Sequence, residues 1–262
     1  MATAPPAGTA VGAEGSNAMM LPIAAGAATG FLLGMVGGGG SILLVPLLVV
    51  VFRLDAHVAT GTALGVVALT AIAGTALHAR DVRARQGLLF AAPGVLASAA
   101  MAPVNARLPE ELLVAVIVLL MVVVAVRMWR QPQVVAERRP VPVIIAAGLV
   151  AGGLTGLLGV GGGFVIVPAL VLALGMPVRQ AVGTSLLVIV ANALAALPRY
   201  ALRGDIEPGL VFILSAGALA GVVAGSEVGR ITGERRVQRA FAGLLVLVAG
   251  FTAAHQVALG NK

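Results

Sequence analysis

The amino-acid sequence predicts an all-α polytopic membrane protein with two homologous halves, and three observations carry that prediction. Hydrophobic residues make up 60% of the 262 residues and charged residues only 10%, whereas about 25% of an ordinary soluble domain is charged. Apolar stretches recur at the length of a membrane-spanning helix, roughly 20 residues. A glycine-rich motif occurs twice, at a constant offset of 122 residues.

The composition also excludes several classes of function. A chain with so few charges cannot cover a water-facing surface, so it is neither a soluble enzyme nor a disordered linker. The net charge of +7 is spread singly or in short groups between apolar blocks, which is typical of membrane loops and not of a nucleic-acid partner. The sequence has no cysteine, and its three histidines do not cluster. We therefore expect no enzyme activity, no cofactor and no metal site.

The elements follow in order along the chain. Residues 1–18 lack Lys and Arg, so they carry no basic n-region of a signal peptide and are predicted to be a flexible tail. The first membrane repeat is expected at 19–130, a polar linker at 131–140 and the second repeat at 141–257. Each repeat is predicted to contain a glycine-broken helix or re-entrant hairpin and three spanning helices.

The two halves share a set of positions at the same offset. The block Gly34–Ser41 aligns with Gly156–Gly163, and a proline follows each block after five residues. The matched prolines and Gly-Thr pairs are Pro46 and Pro168, Gly61-Thr62 and Gly183-Thr184. Agreement of three separate features at one offset indicates an internal duplication, which is how many transporters are built.

The glycine clusters are predicted to interrupt helices. Each lies near the middle of an uncharged stretch that is too long for one span: Gly15–Phe52 has 38 residues and Pro140–Val178 has 39. Adjacent glycines cost about 1 kcal/mol each in a helix interior relative to alanine. We therefore expect a short helix to begin after each cluster, at about Ser41 and Phe164.

Other glycines have the spacing of helix contacts. Small residues at every fourth position allow membrane helices to approach closely. The positions with this spacing are Gly30 and Gly34, Gly152 and Gly156, and the ridge Gly217, Gly221, Gly225 and Gly229.

The distribution of basic residues decides between two topologies. An even number of crossings in each half makes the repeats parallel, whereas an odd number inverts the second half. Four crossings per half place at best 10 basic residues inside and 7 outside, but an odd count with the N-terminus outside places 12 inside and 5 outside. Because cytoplasmic loops are enriched in Lys and Arg, we predict inverted repeats in a bacterial cytoplasmic (inner) membrane, with both termini on the outer side.

The two helix breaks form the candidate binding site. Unpaired backbone groups at membrane depth are tolerated only where they are buried in protein or line a wet cavity. A helix N-terminus attracts anions without a fixed positive charge, so two such ends predict a site for a small anionic substrate. The candidate substrate-binding residues are Gly37, Gly38, Gly39, Gly40, Ser41, Gly61, Thr62, Gly159, Gly161, Gly162, Gly163, Gly183, Thr184, Ser185 and Asn192.

Several of these residues have a structural alternative. The hydroxyls of Thr62 and Thr184 could instead bond to their own helix, and Asn192 could form a hydrogen bond between helices. Glu227 is the one acid expected within a span, which makes it a candidate coupling carboxylate. Arg230 follows at i+3, so an ion pair at a helix end is the alternative for Glu227.

The two glycine-rich blocks resemble those of a known family. The paired blocks GMVGGGGSILLVPLL and GLLGVGGGFVIVPALVLALGMPVRQAVGTSLLVI are similar to the TauE/SafE permease family, whose members are described as sulfite exporters. The resemblance covers nearly the whole chain beyond the tail. The first glycine cluster departs from the shared pattern at two positions. Gly38 stands where the second half has Val160, and Ser41 stands where it has Gly163. The resemblance implies membrane export of sulfite or of small organosulfonates.

Together these observations predict a secondary transporter that exports a small oxyanion, either sulfite or an organosulfonate. The anion is expected at the midplane, bound by backbone amides of the two breaks. A passive anion channel, or a permease for another small anion, is the alternative. The expected partners are the anionic substrate and the lipid bilayer, without nucleic acid, and both a monomer and a homodimer are left open.

Overall fold

The computed structural model describes residues 11–38, 41–105, 108–130, 139–158 and 163–260. Within these ranges the chain forms ten α-helices and no β-strand, which confirms the predicted all-α class. The helices are α1 (Val11–Val36), α2 (Ser41–Val50), α3 (Ala56–Leu77), α4 (Ala84–Asn105), α5 (Glu110–Arg130), α6 (Val141–Leu158), α7 (Gly163–Leu172), α8 (Val178–Arg203), α9 (Pro208–Ile231) and α10 (Glu234–Gly260).

The two halves contain the same series of elements. Each has a long helix, a helix of 10 residues and then three long helices, so α1–α5 correspond to α6–α10. Residues 11–18 of the predicted tail belong to α1. Residues 1–10 of the tail and 131–138 of the predicted linker lie outside the described residues.

Local sequence sets several helix ends. Asp55 caps α3, because its carboxylate accepts the His57 N–H at 2.9 Å. Pro208 is the first residue of α9, where a backbone N–H would have no partner within the helix. α8 ends at Arg203 and is followed by Gly204, whose φ of +75° is the left-handed conformation common after a helix C-terminus. The connections between these long helices are therefore short.

The helices have the length and surface of membrane spans. Four described segments are long and apolar enough to cross a membrane: Met19–Val36 within α1, and α3, α8 and α9. The 22 residues of α3 rise about 33 Å, against a hydrocarbon core of about 30 Å. Apolar side chains also cover the outer surface, where Leu96 is 71% exposed and Phe212 is 72% exposed. Such a surface is expected to face lipid.

α1 lies along α9 with both helices running in the same direction. Gly26 lies against Leu214, and Gly34 lies against Val222, further along both helices. A Cβ on Gly26 would overlap the Leu214 carbonyl, so the two backbones are in contact. The predicted role of small residues in close helix contacts is confirmed at this interface.

α4 and α6 form the equivalent pair. Gly148 lies against Phe90, and Gly156 lies against Ser98, so these two helices also run in the same direction. In both pairs a helix of one half contacts a helix of the other half. The two halves are therefore interleaved around a common core.

α3 and α8 cross each other in opposite directions. Gly74 contacts Leu186, whereas Gly61 contacts Tyr200. α3 runs in the same direction as α9, since Gly65 contacts Val211 and Gly74 contacts Val222. These directions define two ends of the molecule.

We call one end the α3–α4 end, which contains residues 78–83, 173–177 and 231–233. We call the other the α8–α9 end, which contains residues 51–55 and 204–207.

Candidate substrate site

At each glycine cluster one described helix ends and a short helix begins. α1 ends at Val36 and α2 begins at Ser41, the residue predicted from the sequence. α6 ends at Leu158 and α7 begins at Gly163, one residue before the predicted start. Five of the candidate site residues lie outside the described part of the chain: Gly39, Gly40, Gly159, Gly161 and Gly162.

The chain reverses direction at the first break. Gly37 has a φ of +80°, a conformation that glycine adopts without the steric cost of a side chain. Beyond the break, Leu44 of α2 lines a small cavity with Thr29 and Leu33 of α1. α2 therefore turns back beside α1, and its ten residues rise about 15 Å, half the thickness of the hydrocarbon core.

The first break contacts the start of α7. Gly38 and Gly163 are both buried, and a Cβ on Gly38 would overlap the Gly163 carbonyl. A Cβ on Gly37 would lie 2.6 Å from the Ser185 hydroxyl oxygen. Because Gly163 is the first residue of α7, the N-terminus of α7 lies at the break of the other half.

Thr62 and Thr184 connect the two halves. The Thr62 hydroxyl accepts the Glu207 N–H at 3.0 Å, and the Thr184 hydroxyl accepts the Arg83 N–H at 3.0 Å. These acceptor bonds hold the connections that precede α9 and α4. They are not the bonds within one helix that the sequence left as the alternative. A threonine hydroxyl that accepts a hydrogen bond also keeps its own O–H donor.

The two threonines are not brought together. Thr62 lies at the α8–α9 end, where the neighbouring Gly61 contacts the Asp205 carbonyl. Thr184 lies at the α3–α4 end, where the neighbouring Gly183 faces His78. The sixteen residues of helix between positions 62 and 78 rise about 24 Å, so a single small anion cannot contact both threonines.

Ser185 and Asn192 both lie on α8. Ser185 is fully buried, and its hydroxyl donates to the Val182 carbonyl at 2.7 Å beside the first break. Asn192 and its repeat equivalent Thr70 lie along α8 and α3 between the Gly74–Leu186 and Gly61–Tyr200 contacts. Within the described part of the chain, the buried Oδ1 atom of Asn192 has no hydrogen-bond partner, so the expected interhelical bond is not formed by that atom.

Glu227 forms the ion pair that the sequence left as an alternative. Its carboxylate lies 2.9 Å from the Arg230 guanidinium, and both side chains are more than 60% exposed. The two residues line a cavity of about 90 Å³ at the α3–α4 end, together with Asp81 and Arg179. Val182, which lies against Gly37, also lines this cavity.

Sequence reasoning missed an ion pair between the halves. The Asp81 carboxylate lies 3.7 Å from the Arg179 guanidinium, so the connection before α4 is joined to the first turn of α8. The two residues are almost 100 positions apart, and no local spacing marks them as a pair. From the sequence, such charges could only be counted as loop charges that set topology.

Residues 22–252 match the family described as "Sulfite exporter TauE/SafE". The chain belongs to this family. The family resemblance inferred from the paired glycine blocks is thereby confirmed, and a TauE/SafE protein is a membrane transporter.

Two relatives of this TauE/SafE protein support the same conclusion. It is 29% identical over 242 residues to a "Probable membrane transporter protein" of Xylella fastidiosa (strain 9a5c), a match that covers 88% of this chain and 93% of the relative. It is 26% identical over 214 residues to "Probable membrane transporter protein YdhB" of Bacillus subtilis (strain 168), a match that covers 76% and 84%. No solved structure gives a significant match.

Proposed function

We propose that this TauE/SafE protein is a secondary transporter that exports a small oxyanion, sulfite or an organosulfonate, across a bacterial inner membrane. The anion binds near the midplane, between the two helix breaks. The observation that carries this proposal is the contact between Gly38 and Gly163, in which the N-terminus of α7 lies against the break of the other half.

The chemistry of helix N-termini supports an anionic substrate. The first four N–H groups of a helix have no partner within it, and the helix dipole places positive charge at that end. α7 begins at Gly163 beside the first break, and α2 begins at Ser41 directly after that break. Two such ends favour a negative charge without an arginine or lysine.

The directions of the helices support inverted repeats. α1 and α3 run in the direction of α9, whereas α4 follows α3 through the short connection 78–83 and returns. α6 runs beside α4 in the same direction, so α1 and its equivalent α6 run in opposite directions. Transporters with inverted repeats expose a midplane site to one side at a time by rocking one half against the other.

The positions of the arginines support an orientation. Of those described, eleven lie towards the α3–α4 end and three towards the α8–α9 end. The eleven are Arg80, Arg83, Arg85, Arg127, Arg130, Arg139, Arg179, Arg230, Arg235, Arg236 and Arg239, and the three are Arg53, Arg199 and Arg203. Because cytoplasmic loops are rich in Lys and Arg, we assign the α3–α4 end to the cytoplasm and both termini to the outer side.

Glu227 is the carboxylate that we assign to energy coupling. It lines the 90 Å³ cavity at the cytoplasmic end, and this cavity reaches Val182 beside the first break. A Glu227→Gln variant should therefore lose the dependence of efflux on a proton gradient. If the variant keeps that dependence, Glu227 has no part in coupling.

Efflux from proteoliposomes tests the site. We expect Gly38→Ala to slow the efflux of sulfite or methanesulfonate by at least about tenfold, the effect of losing about 1.4 kcal/mol of binding free energy. Its Cβ would enter the contact with Gly163. Gly243→Ala is the matched control, because nothing lies within 4 Å of the Cβ that it adds.

Two outcomes would contradict the proposal. If the Gly38→Ala protein is folded and its efflux rate equals that of the wild type, the substrate site does not lie at the helix breaks. Efflux that does not saturate with anion concentration, together with a steady electrical current, would identify the alternative of a passive anion channel.

A further inference from the structure

A second cavity at the α3–α4 end is lined by arginines. Its volume is about 630 Å³, and Arg83, Arg85 and Arg139 lie on its wall with Gln86 and Gln180. Among the described residues that line it, none is Asp or Glu. We call this cavity the arginine vestibule.

Helix N-termini add to its positive potential. Ala84 and Val141, the first residues of α4 and α6, both line the vestibule. α8 begins at Val178, two residues before Gln180. Because each N-terminus carries partial positive charge, these helix ends add to the charge that the Arg83 and Arg85 guanidinium groups bring to the cavity.

The neighbouring 90 Å³ cavity differs in the balance of its charges. There Arg179 lies 3.7 Å from Asp81, and Arg230 lies 2.9 Å from Glu227, so positive and negative charges compensate each other. In the vestibule, the Arg83 Nε atom instead donates to the neutral Gln180 Oε1 at 3.0 Å. That hydrogen bond orients the guanidinium without cancelling its charge.

Apolar side chains also line the vestibule, those of Leu89, Ile144 and Met176. A lining that combines charged and apolar side chains fits an anionic head group that carries a short hydrocarbon chain, and the volume lies in the usual range of small-molecule sites. The five residues from Gln180 to Ser185 rise only about 7.5 Å along α8, so the vestibule lies close to the first helix break.

We propose that the arginine vestibule is a second anion-binding site, which takes short alkylsulfonates from the cytoplasm. The charge selectivity of the vestibule depends on its own residues. Its role as an entry site for exported anions rests on the proposed function. A labelling experiment that involves no transport therefore tests the vestibule separately.

The absence of cysteine from the sequence makes that experiment direct. A Gln86→Cys variant is purified in neutral detergent at low salt. Its thiol is reacted with an anionic methanethiosulfonate reagent that carries a sulfonate, and with a cationic one that carries trimethylammonium. We expect the anionic reagent to react about tenfold faster, relative to the rates of both reagents with a free thiol, because a focused positive potential raises local anion concentration.

Matched variants identify the residues responsible. Adding Arg83→Gln or Arg85→Gln to Gln86→Cys should lower the preference by about threefold, as should 0.5 M salt, since salt screens charges. Arg80→Gln is the control, because Arg80 lies in the same connection but does not line the vestibule. Millimolar 1-hexanesulfonate should protect the thiol from the anionic reagent.

The outcomes are distinct. Equal rates for the two reagents, or an Arg80→Gln effect as large as that of Arg85→Gln, would overturn the assignment. Protection by phosphatidylglycerol but not by 1-hexanesulfonate would also overturn it, in favour of a lipid head-group site. If the wild-type protein shows no efflux of sulfite or methanesulfonate from proteoliposomes but Gln86→Cys keeps its labelling selectivity, the proposed function is refuted and the assignment of the vestibule is unaffected.

Discussion

Replacing Thr62 with valine removes a hydrogen bond that joins the two halves of the chain. The Thr62 side chain is 0% exposed, and its hydroxyl accepts the Glu207 N–H at 3.0 Å. Valine has the same shape but no acceptor, and an unsatisfied buried donor costs about 1–3 kcal/mol. Because this bond is only partly buried, we expect the free energy of unfolding to fall by about 1–2 kcal/mol.

Thr184→Val should have the same effect, since its hydroxyl accepts the equivalent Arg83 N–H at 3.0 Å. The two sites lie about 24 Å apart along α3, so their effects should add to about 2–4 kcal/mol in the double variant. The measurement is reversible unfolding by SDS in mixed micelles. Thr60→Val is the control, because in the described part of the chain that exposed hydroxyl bonds to the Ala56 carbonyl of its own helix. Equal stability of Thr62→Val and Thr60→Val would refute the reasoning.

Two further predictions concern contacts between helices. Gly221→Ala would place a Cβ on the Ala27 carbonyl and force α1 away from α9, so size-exclusion chromatography should show loss of monodisperse protein. Gly250→Ala is the control and should elute as wild type, because nothing lies within 4 Å of the Cβ that it adds. Gln238→Leu would remove the side-chain N–H that bonds to the Met128 carbonyl and joins α10 to α5. The same SDS titration should show that the free energy of unfolding falls by about 1 kcal/mol. An unchanged midpoint would show that this bond does not stabilise the fold.

The helix breaks and the helix contacts could be predicted because glycine has consequences that are local. A run of glycines disfavours a helix wherever it occurs, and α1 does end at Val36 and α2 does begin at Ser41. Likewise, glycines at every fourth position form one narrow face of a helix. Gly221 and Gly225 accordingly lie against the backbone of α1.

The roles of single polar residues could not be predicted, because their partners are remote in sequence. Thr62 and Glu207 are separated by 145 positions, and Thr184 and Arg83 by 101. The hydroxyls therefore suggested a substrate contact or a bond within one helix, whereas each accepts a backbone N–H from the other half.

The convergence of charges was equally hidden. Arg83, Arg85 and Arg139 belong to segments that meet only after α4 and α6 come together. From the sequence they contributed to the count of basic residues that sets topology. Their position around one cavity depends on the tertiary fold.

A structure of the protein with selenite tests the proposed site most directly, because selenite is an analogue of sulfite whose selenium gives anomalous scattering. We expect an anomalous peak between the N-termini of α2 and α7, beside Gly38 and Gly163. Selenium bound elsewhere, with the space between these helix ends filled by protein atoms alone, would contradict it.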